Sequence, residues 1–334
     1  MTRAVAAGLE APDPTLEDEL RSRLDDVEAA LEKAVRSDTE FVTEAASYLV
    51  EAGGKRFRPM LVLLGGHFGD AADPRLTEGA CAIELVHLAT LYHDDVVDEA
   101  RERRGRPSVN AQWGNNVAIL TGDFLFARAS ELAADLGTEV SKLLARTIAL
   151  LSDGVIREVE GWGRADQSET AYLEMIRRKT AALIATSCRL GGMLGEAAPE
   201  TIELLEDFGM SLGMAFQLSD DIMDVISTEE ELHKLPGQDM KQGLYTLPVL
   251  HALEDGHHSD ELRVLLAAGL PDADAFERAL DIVRSDGPLG RSREAVSSEV
   301  RRAKRLADGL APGRARDAMV HIGEFLAYRC GAEV

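Results

Sequence analysis

Apolar residues recur at helical spacing along most of this chain. From about residue 15 to about residue 225, segments rich in Leu, Ala and Val are separated by short breaks that contain Gly, Pro or Asp, for example at 69–74, 105–107 and 161–163. Apolar positions three or four residues apart predict helices with one buried face, whereas a half-buried strand requires alternation, and no useful length of alternation is present. The pattern therefore predicts an all-α fold built as a helical bundle.

The N-terminal segment differs from the rest in composition. Residues 1–14 are rich in Ala and Pro and end in Pro-Asp-Pro, which predicts a disordered tail. A helix is predicted from Thr15, because acidic residues in its first turn suit the positive end of the helix dipole. Residues 15–334 are predicted to form a single domain, since nothing in their composition argues for a split.

Charge and cysteine content exclude several classes of protein. The formal net charge is −23, from 36 basic and 59 acidic residues, so no nucleic acid partner is expected, because phosphate backbones require a basic surface. An acidic protein that binds anions must use local cation clusters or metal ions. Cys81, Cys188 and Cys330 fit neither a disulfide framework nor a zinc site, which favours buried thiols in a reducing cytoplasm. No apolar run reaches the roughly 18 residues of a membrane-spanning helix, so a soluble protein is expected.

Two copies of the pattern DDxxD stand out against this background. The first, DDVVD at 94–98, follows an apolar run over 85–93, and the second, DDIMD at 220–224, follows an apolar run over 212–219. Asp is unfavourable inside a helix, and closely spaced carboxylates repel one another. A solvated helix end could explain one copy, but two copies that each follow an apolar run indicate a function.

The spacing within each motif indicates a metal site. Asp94 and Asp98 lie four residues apart and project from one face of a helix, as do Asp220 and Asp224. Two such faces directed at a shared cavity would supply many carboxylate oxygens, which Mg²⁺ accepts together with water and substrate phosphate oxygens. The motifs therefore predict Mg²⁺ bound to a phosphorylated substrate.

Two basic clusters add cations to this prediction. Residues 53–59 read GGKRFRP, in which Lys55 offers a point charge and Arg56 and Arg58 offer planar forks. Two or three of these cations are expected to face a diphosphate. Residues 101–107 read RERRGRP, shortly after the first DDxxD. In so acidic a protein, this clustering indicates that carboxylates and cations together bind a metal-bound diphosphate.

With these motifs in order, the chain resembles the trans-isoprenyl diphosphate synthase (polyprenyl synthetase) family, long-chain type. The resemblance covers about residues 40–250 and rests on GGKRFRP, the first DDxxD with RRGRP behind it, Arg178-Lys179-Thr180, Gln217 with the second DDxxD, and GQDMKQG at 237–243. It implies the isoprenoid synthase fold, a single-domain helical bundle around a deep central cavity. It also implies three Mg²⁺ ions per active site and a homodimer.

The resemblance assigns roles to individual residues. Those expected to bind isopentenyl diphosphate are Lys55, Arg58, His87 and Arg104. Those expected to bind the allylic diphosphate are Arg103, Lys179, Thr180, Gln217 and Lys234. The principal Mg²⁺ ligands are expected to be Asp94, Asp98 and Asp220, which with Lys179 form the catalytic group, and the supporting ligands Asp95, Asp221 and Asp224. His87 could instead be structural, but its position two turns before Asp94 favours the ligand role.

The implied reaction joins isopentenyl diphosphate to an allylic primer of the farnesyl or geranylgeranyl type by ionisation, condensation and elimination. No side-chain nucleophile is needed. A class I terpene cyclase would share the fold and one DDxxD, but it would need neither the basic segment 53–59 nor a second full DDxxD. A non-catalytic partner subunit of a heteromeric synthase would be expected to have lost carboxylates, and none is missing.

Two further details concern the product and the allylic site. Thr90 and Ala89 lie four and five residues before the first DDxxD, and their small side chains predict an open tunnel and a long product. Phe126 is a candidate floor of that tunnel, or an ordinary core residue. The family usually carries a lysine where this chain has Leu244, so Lys241 on the same loop is expected to supply the missing contact.

Overall fold

The computed structural model describes residues 13–228, 235–254 and 258–334, and in these ranges nearly every element is a helix. The first helices are α1 (Pro14–Ala34), α2 (Glu40–Glu51), α3 (Phe57–Gly66), α4 (Arg75–Val97), α5 (Val109–Trp113), α6 (Asn115–Asp135), α7 (Thr138–Gly161) and α8 (Glu169–Ile176). A π-helical turn (Arg177–Ala181) leads into α9 (Ala182–Leu194) and α10 (Pro199–Ile226). The later helices are α11 (Gln238–Lys241), α12 (Leu247–Glu254), α13 (Ser259–Ala267), α14 (Ala273–Val283), α15 (Asp286–Ala307) and α16 (Arg314–Arg329). The prediction of an all-α fold is confirmed.

A short β-hairpin follows the first DDxxD. Strand β1 (Glu102–Arg103) pairs antiparallel with β2 (Arg106–Pro107), and the turn residues Arg104 and Gly105 have φ of 54° and 73°. Positive φ at both central residues is characteristic of a tight two-residue hairpin turn. The basic segment that the sequence predicts as a break between helices is therefore an ordered hairpin.

Helix α1 begins one residue earlier than predicted. The Asp13 side chain accepts a hydrogen bond of 2.9 Å from the Leu16 backbone nitrogen, and Pro14 occupies the first turn. Proline fits there because its fixed φ suits a helix and its missing N–H would have no helical partner. Asp13 and Pro14 therefore belong to the start of the helix and not to the predicted tail, whose other residues, 1–12, lie outside the described ranges.

The chain divides into two compact units. The first contains the described residues up to Ile148 together with Thr186–Glu206 and Gly309–Met319. The second contains the described residues of Ala149–Ala185, Asp207–Asp308 and Val320–Val334. The assignment of residues 15–334 to a single domain stays a prediction.

The core of the first unit surrounds α4, which packs against α1, α3 and α6. Helix α3 also meets α9 backbone to backbone. A Cβ added at Gly65 would lie 2.6 Å from the Cys188 carbonyl oxygen, and one added at Gly191 would lie 2.1 Å from the Val62 carbonyl oxygen. No side chain fits at either contact, so glycine is required there. The first DDxxD, at the end of α4, thus extends from a tightly packed support.

In the second unit, α12 packs against α13, α14 and α15.

All three cysteines of the chain are free and buried, as predicted, and burial raises the pKa of Cys81 and Cys188 to about 12. Among the helices of the described ranges, none is both long and apolar enough to cross a membrane.

Candidate active site

The first DDxxD occupies the C-terminal end of α4, where Asp98 is the capping residue. The Asp98 backbone nitrogen donates to the Asp94 carbonyl oxygen at 2.8 Å, so the two residues lie one helical turn apart. Both are half-buried, whereas Asp95 is fully buried. Asp94 and Asp98 therefore have the one-turn spacing that the sequence predicts.

Asp95 faces the β-hairpin. Arg103 Nε donates to Asp95 Oδ1 at 2.7 Å, and Arg103 Nη2 forms an ion pair with the same oxygen at 2.5 Å. Burial raises the pKa of the Asp95 carboxyl, and the Arg103 guanidinium opposes this rise. Within the described part of the chain, Asp95 Oδ2 has no hydrogen-bond partner. This contact joins a predicted metal ligand to a predicted ligand of the allylic diphosphate.

Arg58 and His87, two predicted ligands of isopentenyl diphosphate, lie side by side. Arg58 Nη1 is 3.3 Å from His87 Nε2. Burial, followed by the charges of Arg58 and Arg104, holds the pKa of His87 well below its ordinary value. A neutral imidazole beside a guanidinium accepts a hydrogen bond on Nε2 and carries its proton on Nδ1. His87 is thus a neutral polar group within a cluster of cations.

Arg104 contacts the loop that carries Lys55. The Lys55 side chain itself is exposed to solvent. Arg104 Nη1 donates to the Leu49 carbonyl oxygen at 2.9 Å and also to the Gly53 carbonyl oxygen. A Cβ added at Gly54 would lie only 3.0 Å from the Arg104 guanidinium, so glycine permits this close approach. The two basic clusters of the sequence therefore meet within the first unit.

Arg56 is directed into the interior of this unit. It is 4% exposed, donating from Nε to Glu28 at 2.6 Å and from Nη1 to Glu84 at 2.8 Å. Its backbone is left-handed, with φ of 48°, an uncommon conformation for a residue with a side chain. Arg56 is a buried structural cation. Of the three cations in residues 53–59, Lys55 and Arg58 therefore remain as candidates to bind a diphosphate.

Asp220 is the half-buried member of the second DDxxD. It forms an ion pair with Arg329 in α16, and Arg329 Nε also donates to Ser219 Oγ at 2.7 Å. The Asp220 side chain is 42% exposed, the Arg329 side chain 21%. A cation from near the end of the chain thus balances the charge of a predicted metal ligand.

The other two carboxylates of this motif are buried. Asp221 accepts a hydrogen bond from the Tyr172 hydroxyl and one of 2.9 Å from Gln217 Nε2. Asp224 accepts a longer hydrogen bond, 3.4 Å, from the Asp239 backbone nitrogen. The three carboxylates therefore differ in exposure, and Asp220 is the one most open to solvent.

The π-helical turn carries Lys179 and Thr180. Lys179 Nζ forms an ion pair with Glu158 in α7, and Thr180 Oγ1 donates to Gln217 Oε1 at 2.8 Å. π-Helical turns are rare and are frequent at functional sites. Another predicted allylic ligand, Lys234, lies outside the described residues.

The predicted chain-length residues lie along α4 and α6. Ala89 is fully buried, and Thr90 Oγ1 donates to the His87 carbonyl oxygen at 2.7 Å. Phe126 packs edge-on against His93, with ring centroids 5.6 Å apart. His93 directly precedes the first DDxxD, so Phe126 contacts α4 close to this motif. Its assignment as the tunnel floor stays a prediction.

Lys241 is exposed at the end of α11, and its ammonium lies 5.5 Å from the centroid of the Phe276 ring. This distance is within the range of a cation–π contact. The proposal that Lys241 replaces the lysine missing at Leu244 stays a prediction.

Sequence reasoning did not identify the charged and polar partners of the site residues. These partners are Glu28, Glu84, Glu158, Tyr172 and Arg329. A signal existed for Glu84, an acidic residue within the apolar stretch of α4. A buried acid in such a stretch requires a counter-charge. The other four carry no comparable signal.

The chain is similar to known proteins along most of its length. The family model described as polyprenyl synthetase matches residues 39–283. The chain is 39% identical to a nonaprenyl diphosphate synthase from Mycobacterium tuberculosis, with 98% of each chain covered. It is 42% identical to heptaprenyl diphosphate synthase component 2 from Geobacillus stearothermophilus, with 89% of this chain and 94% of the relative covered.

Solved structures show the same likeness. A geranylgeranyl pyrophosphate synthase from Corynebacterium glutamicum, complexed with calcium and isoprenyl diphosphate, has a TM-score of 0.85 and 38% identity, with 96% of this chain and 99% of that chain covered. The fold and these likenesses define a prenyltransferase with the isoprenoid synthase fold. The chain belongs to the polyprenyl synthetase family.

Proposed function

We propose that this prenyltransferase condenses isopentenyl diphosphate with an allylic diphosphate primer of the farnesyl or geranylgeranyl type. The product would be a long-chain, all-trans polyprenyl diphosphate. The observation that carries the proposal is the presence of two complete DDxxD motifs and a cation cluster in a chain of net charge −23. The nonaprenyl and heptaprenyl products in the names of two relatives support a long product.

Mg²⁺, at three ions per site, is the proposed cofactor. Carboxylate oxygens are ligands that Mg²⁺ prefers, and the buried Asp95 Oδ2 is an oxygen that a cation can satisfy. Within the described ranges, no three acidic, His or Cys side chains already form a closed metal site. When bound, Mg²⁺ would stabilise negative charge on the departing diphosphate. The residues that would hold it are Asp94, Asp98 and Asp220, supported by Asp95, Asp221 and Asp224.

The basic and polar residues would bind the two diphosphates. Lys55, Arg58, His87 and Arg104 are proposed to hold isopentenyl diphosphate. Arg103, Lys179, Thr180 and Gln217, with Lys234, are proposed to hold the allylic diphosphate. Donors already in place where charge develops need little reorganisation during the reaction. The allylic carbon–oxygen bond breaks, the isopentenyl double bond attacks the resulting cation, and the released diphosphate takes the proton that is lost.

Incubation with isopentenyl diphosphate, an allylic primer and Mg²⁺, followed by mass analysis of the products, tests this function. Chain extension to a ladder of long prenyl diphosphates is expected. A cyclised hydrocarbon would select the terpene cyclase instead. Absence of any product with the purified chain would contradict the proposal and favour a non-catalytic subunit.

Replacing Ala89 with phenylalanine is expected to shorten the product. Ala89 is fully buried on α4, five residues before Asp94, and a large ring there would block the growing tail. Mass analysis of the product ladder measures the effect, and Ala89→Ser, which stays small, is the control. Because overpacking costs about 1–3 kcal/mol, Ala89→Leu serves as a milder second variant. A folded Phe variant with the wild-type ladder would contradict the tunnel assignment.

A cavity of about 450 Å³ lies in the first unit, at a depth along α4 that a long tunnel would reach. It lies between α1, α4 and α6, and its lining combines small and apolar residues such as Ala30 and Cys81 with charged ones such as Arg128. Cys81 lies thirteen residues before Asp94, which corresponds to about 20 Å along α4.

A homodimer is also proposed. Helix α6 exposes Ile119 and Leu120, which are 41% and 66% accessible to solvent. Exposed large apolar side chains that are adjacent on one helix favour a protein contact. Light scattering of the purified chain measures the oligomeric state directly. The cytoplasmic location stays a prediction.

A further inference from the structure

We propose that Glu158 is a positioning residue for Lys179, and that Gly154 and Glu158 together hold the π-helical turn against α7. The inference rests on the proposed function, in which Lys179 binds the allylic diphosphate. Glu158 would not touch the substrate. Its effect on the reaction would pass through the ammonium of Lys179.

Gly154 and Glu158 lie one turn apart on α7 and contact the same residue. A Cβ added at Gly154 would lie 2.4 Å from the Lys179 backbone nitrogen and 2.7 Å from its Cα. The backbone of the π-helical turn therefore rests directly on α7, where only glycine leaves room. One turn further along, Glu158 is 5% exposed and accepts a hydrogen bond from Lys179 Nζ. Both the backbone and the ammonium of Lys179 are thus held by one face of α7.

Helix α10 holds the same turn in the same way. A Cβ added at Gly213 would lie 2.6 Å from the Cα of Ala181. One turn further along α10, Gln217 accepts a hydrogen bond of 2.8 Å from Thr180 Oγ1. Each helix therefore contributes a glycine that admits the backbone and, four residues later, a polar side chain that binds the turn. The two helices therefore fix the position of the π-helical turn from two sides.

A lysine side chain has many rotamers, and holding it in one of them before the substrate arrives removes an entropy cost from binding and reaction. The Lys179 side chain is only 23% exposed while it is paired with Glu158. Glu158 also competes with a diphosphate for this ammonium, so it weakens ground-state binding. As negative charge grows on the departing diphosphate, the ammonium is drawn more strongly toward it. The pair is therefore expected to favour turnover over substrate affinity.

Glu158→Gln, which keeps the shape and removes the charge, tests this expectation. At saturating isopentenyl diphosphate, kcat is expected to fall about 30-fold, because small misplacements of a binding group cost up to about 100-fold. KM for the allylic substrate should stay unchanged or fall, and calorimetry should show pyrophosphate binding at least as tight as in wild type. A residue with a purely structural role would lower thermal stability without this split. The control is Glu160→Gln, the same charge change at an exposed position of α7.

A double-substitution cycle tests whether Glu158 acts through Lys179. The variant that combines Glu158→Gln with Lys179→Ala should have the same kcat as Lys179→Ala alone, because effects on one shared interaction do not add. If the two effects multiply, Glu158 acts independently and the inference is wrong. Glu158→Asp should recover part of the lost kcat, since a carboxylate remains near the ammonium.

Gly154→Ala tests the backbone contact. The added Cβ would displace the turn, so a lower kcat with retained fold is expected. Gly290→Ala is the matched control, because a Cβ added there, in α15 of the same unit, meets nothing within 4 Å. If the wild-type protein does not extend chains, the proposed function itself is contradicted. If the wild-type protein extends chains and the Glu158→Gln variant has the same kcat, the inference about Glu158 is wrong and the proposed function stands.

Discussion

Replacing Asp94 or Asp220 with alanine is expected to lower turnover in the chain-extension assay about a thousandfold, since removal of one group that stabilises a departing anion costs about 10²–10³-fold. Both carboxylates are proposed to hold Mg²⁺, which stabilises that anion. Incorporation of labelled isopentenyl diphosphate at saturating substrate and Mg²⁺ measures the effect.

The control for this experiment is Asp207→Ala, which removes an exposed carboxylate from the same helix as Asp220. Its turnover should stay within about twofold of wild type, as for most surface substitutions. Circular dichroism checks that each variant is folded. A folded Asp94 or Asp220 variant that retains wild-type turnover would contradict the metal-binding role of that residue.

The structure also changes the expected stability of these variants. The sequence suggests that removing a carboxylate from either motif relieves repulsion and raises stability without ligand. Asp220, however, pairs with Arg329. The loss of this half-exposed ion pair is expected to cost at most about 1 kcal/mol. No gain in thermal stability is therefore expected for the Asp220 variant.

Replacing Arg56 with methionine is expected to lower the free energy of unfolding by about 3–5 kcal/mol, as for other buried ion pairs that lose one partner. Methionine fills much of the apolar space but removes the guanidinium that donates to both Glu28 and Glu84. The side chain of Glu84 is 2% exposed, so water cannot replace the guanidinium. Urea denaturation followed by circular dichroism measures the change.

Arg21→Met is the matched control for this prediction. Arg21 pairs with Glu17 at 2.7 Å on the surface of α1, where its side chain is 40% exposed. Pairs of this kind on a helix contribute about 0.2–0.5 kcal/mol. Equal losses of stability in the Arg21 and Arg56 variants would show that the buried contacts of Arg56 carry no special weight.

The fold class could be predicted because it depends on local patterns. Helical spacing of apolar residues identified an all-α chain, and the repeated DDxxD marked the ends of two buried helical runs. The start of α1 was predicted one residue late, although Asp13 and Pro14 carry the capping signals that fix it. The β-hairpin at 102–107 could not be predicted from alternation, because each strand has only two residues.

The electrostatic partners could not be predicted because they depend on contacts between distant parts of the chain. Glu84 lies 28 residues from Arg56, and Arg329 lies 109 residues from Asp220. Helical spacing shows which face of a helix is buried, but it does not show which residue of another helix lies opposite. The π-helical turn around Lys179 likewise has no sequence pattern, since glycines on two other helices make room for it.

Both DDxxD motifs are proposed to hold the same metal-bound diphosphate, and Mn²⁺ binding in place of Mg²⁺ tests this directly. Electron paramagnetic resonance would follow Mn²⁺ binding to wild type, Asp94→Ala and Asp220→Ala, with and without inorganic pyrophosphate. Pyrophosphate should strengthen Mn²⁺ binding to wild type, and either substitution alone should abolish this increase. If pyrophosphate strengthens Mn²⁺ binding to either variant as much as it does to wild type, the two motifs do not act on one diphosphate.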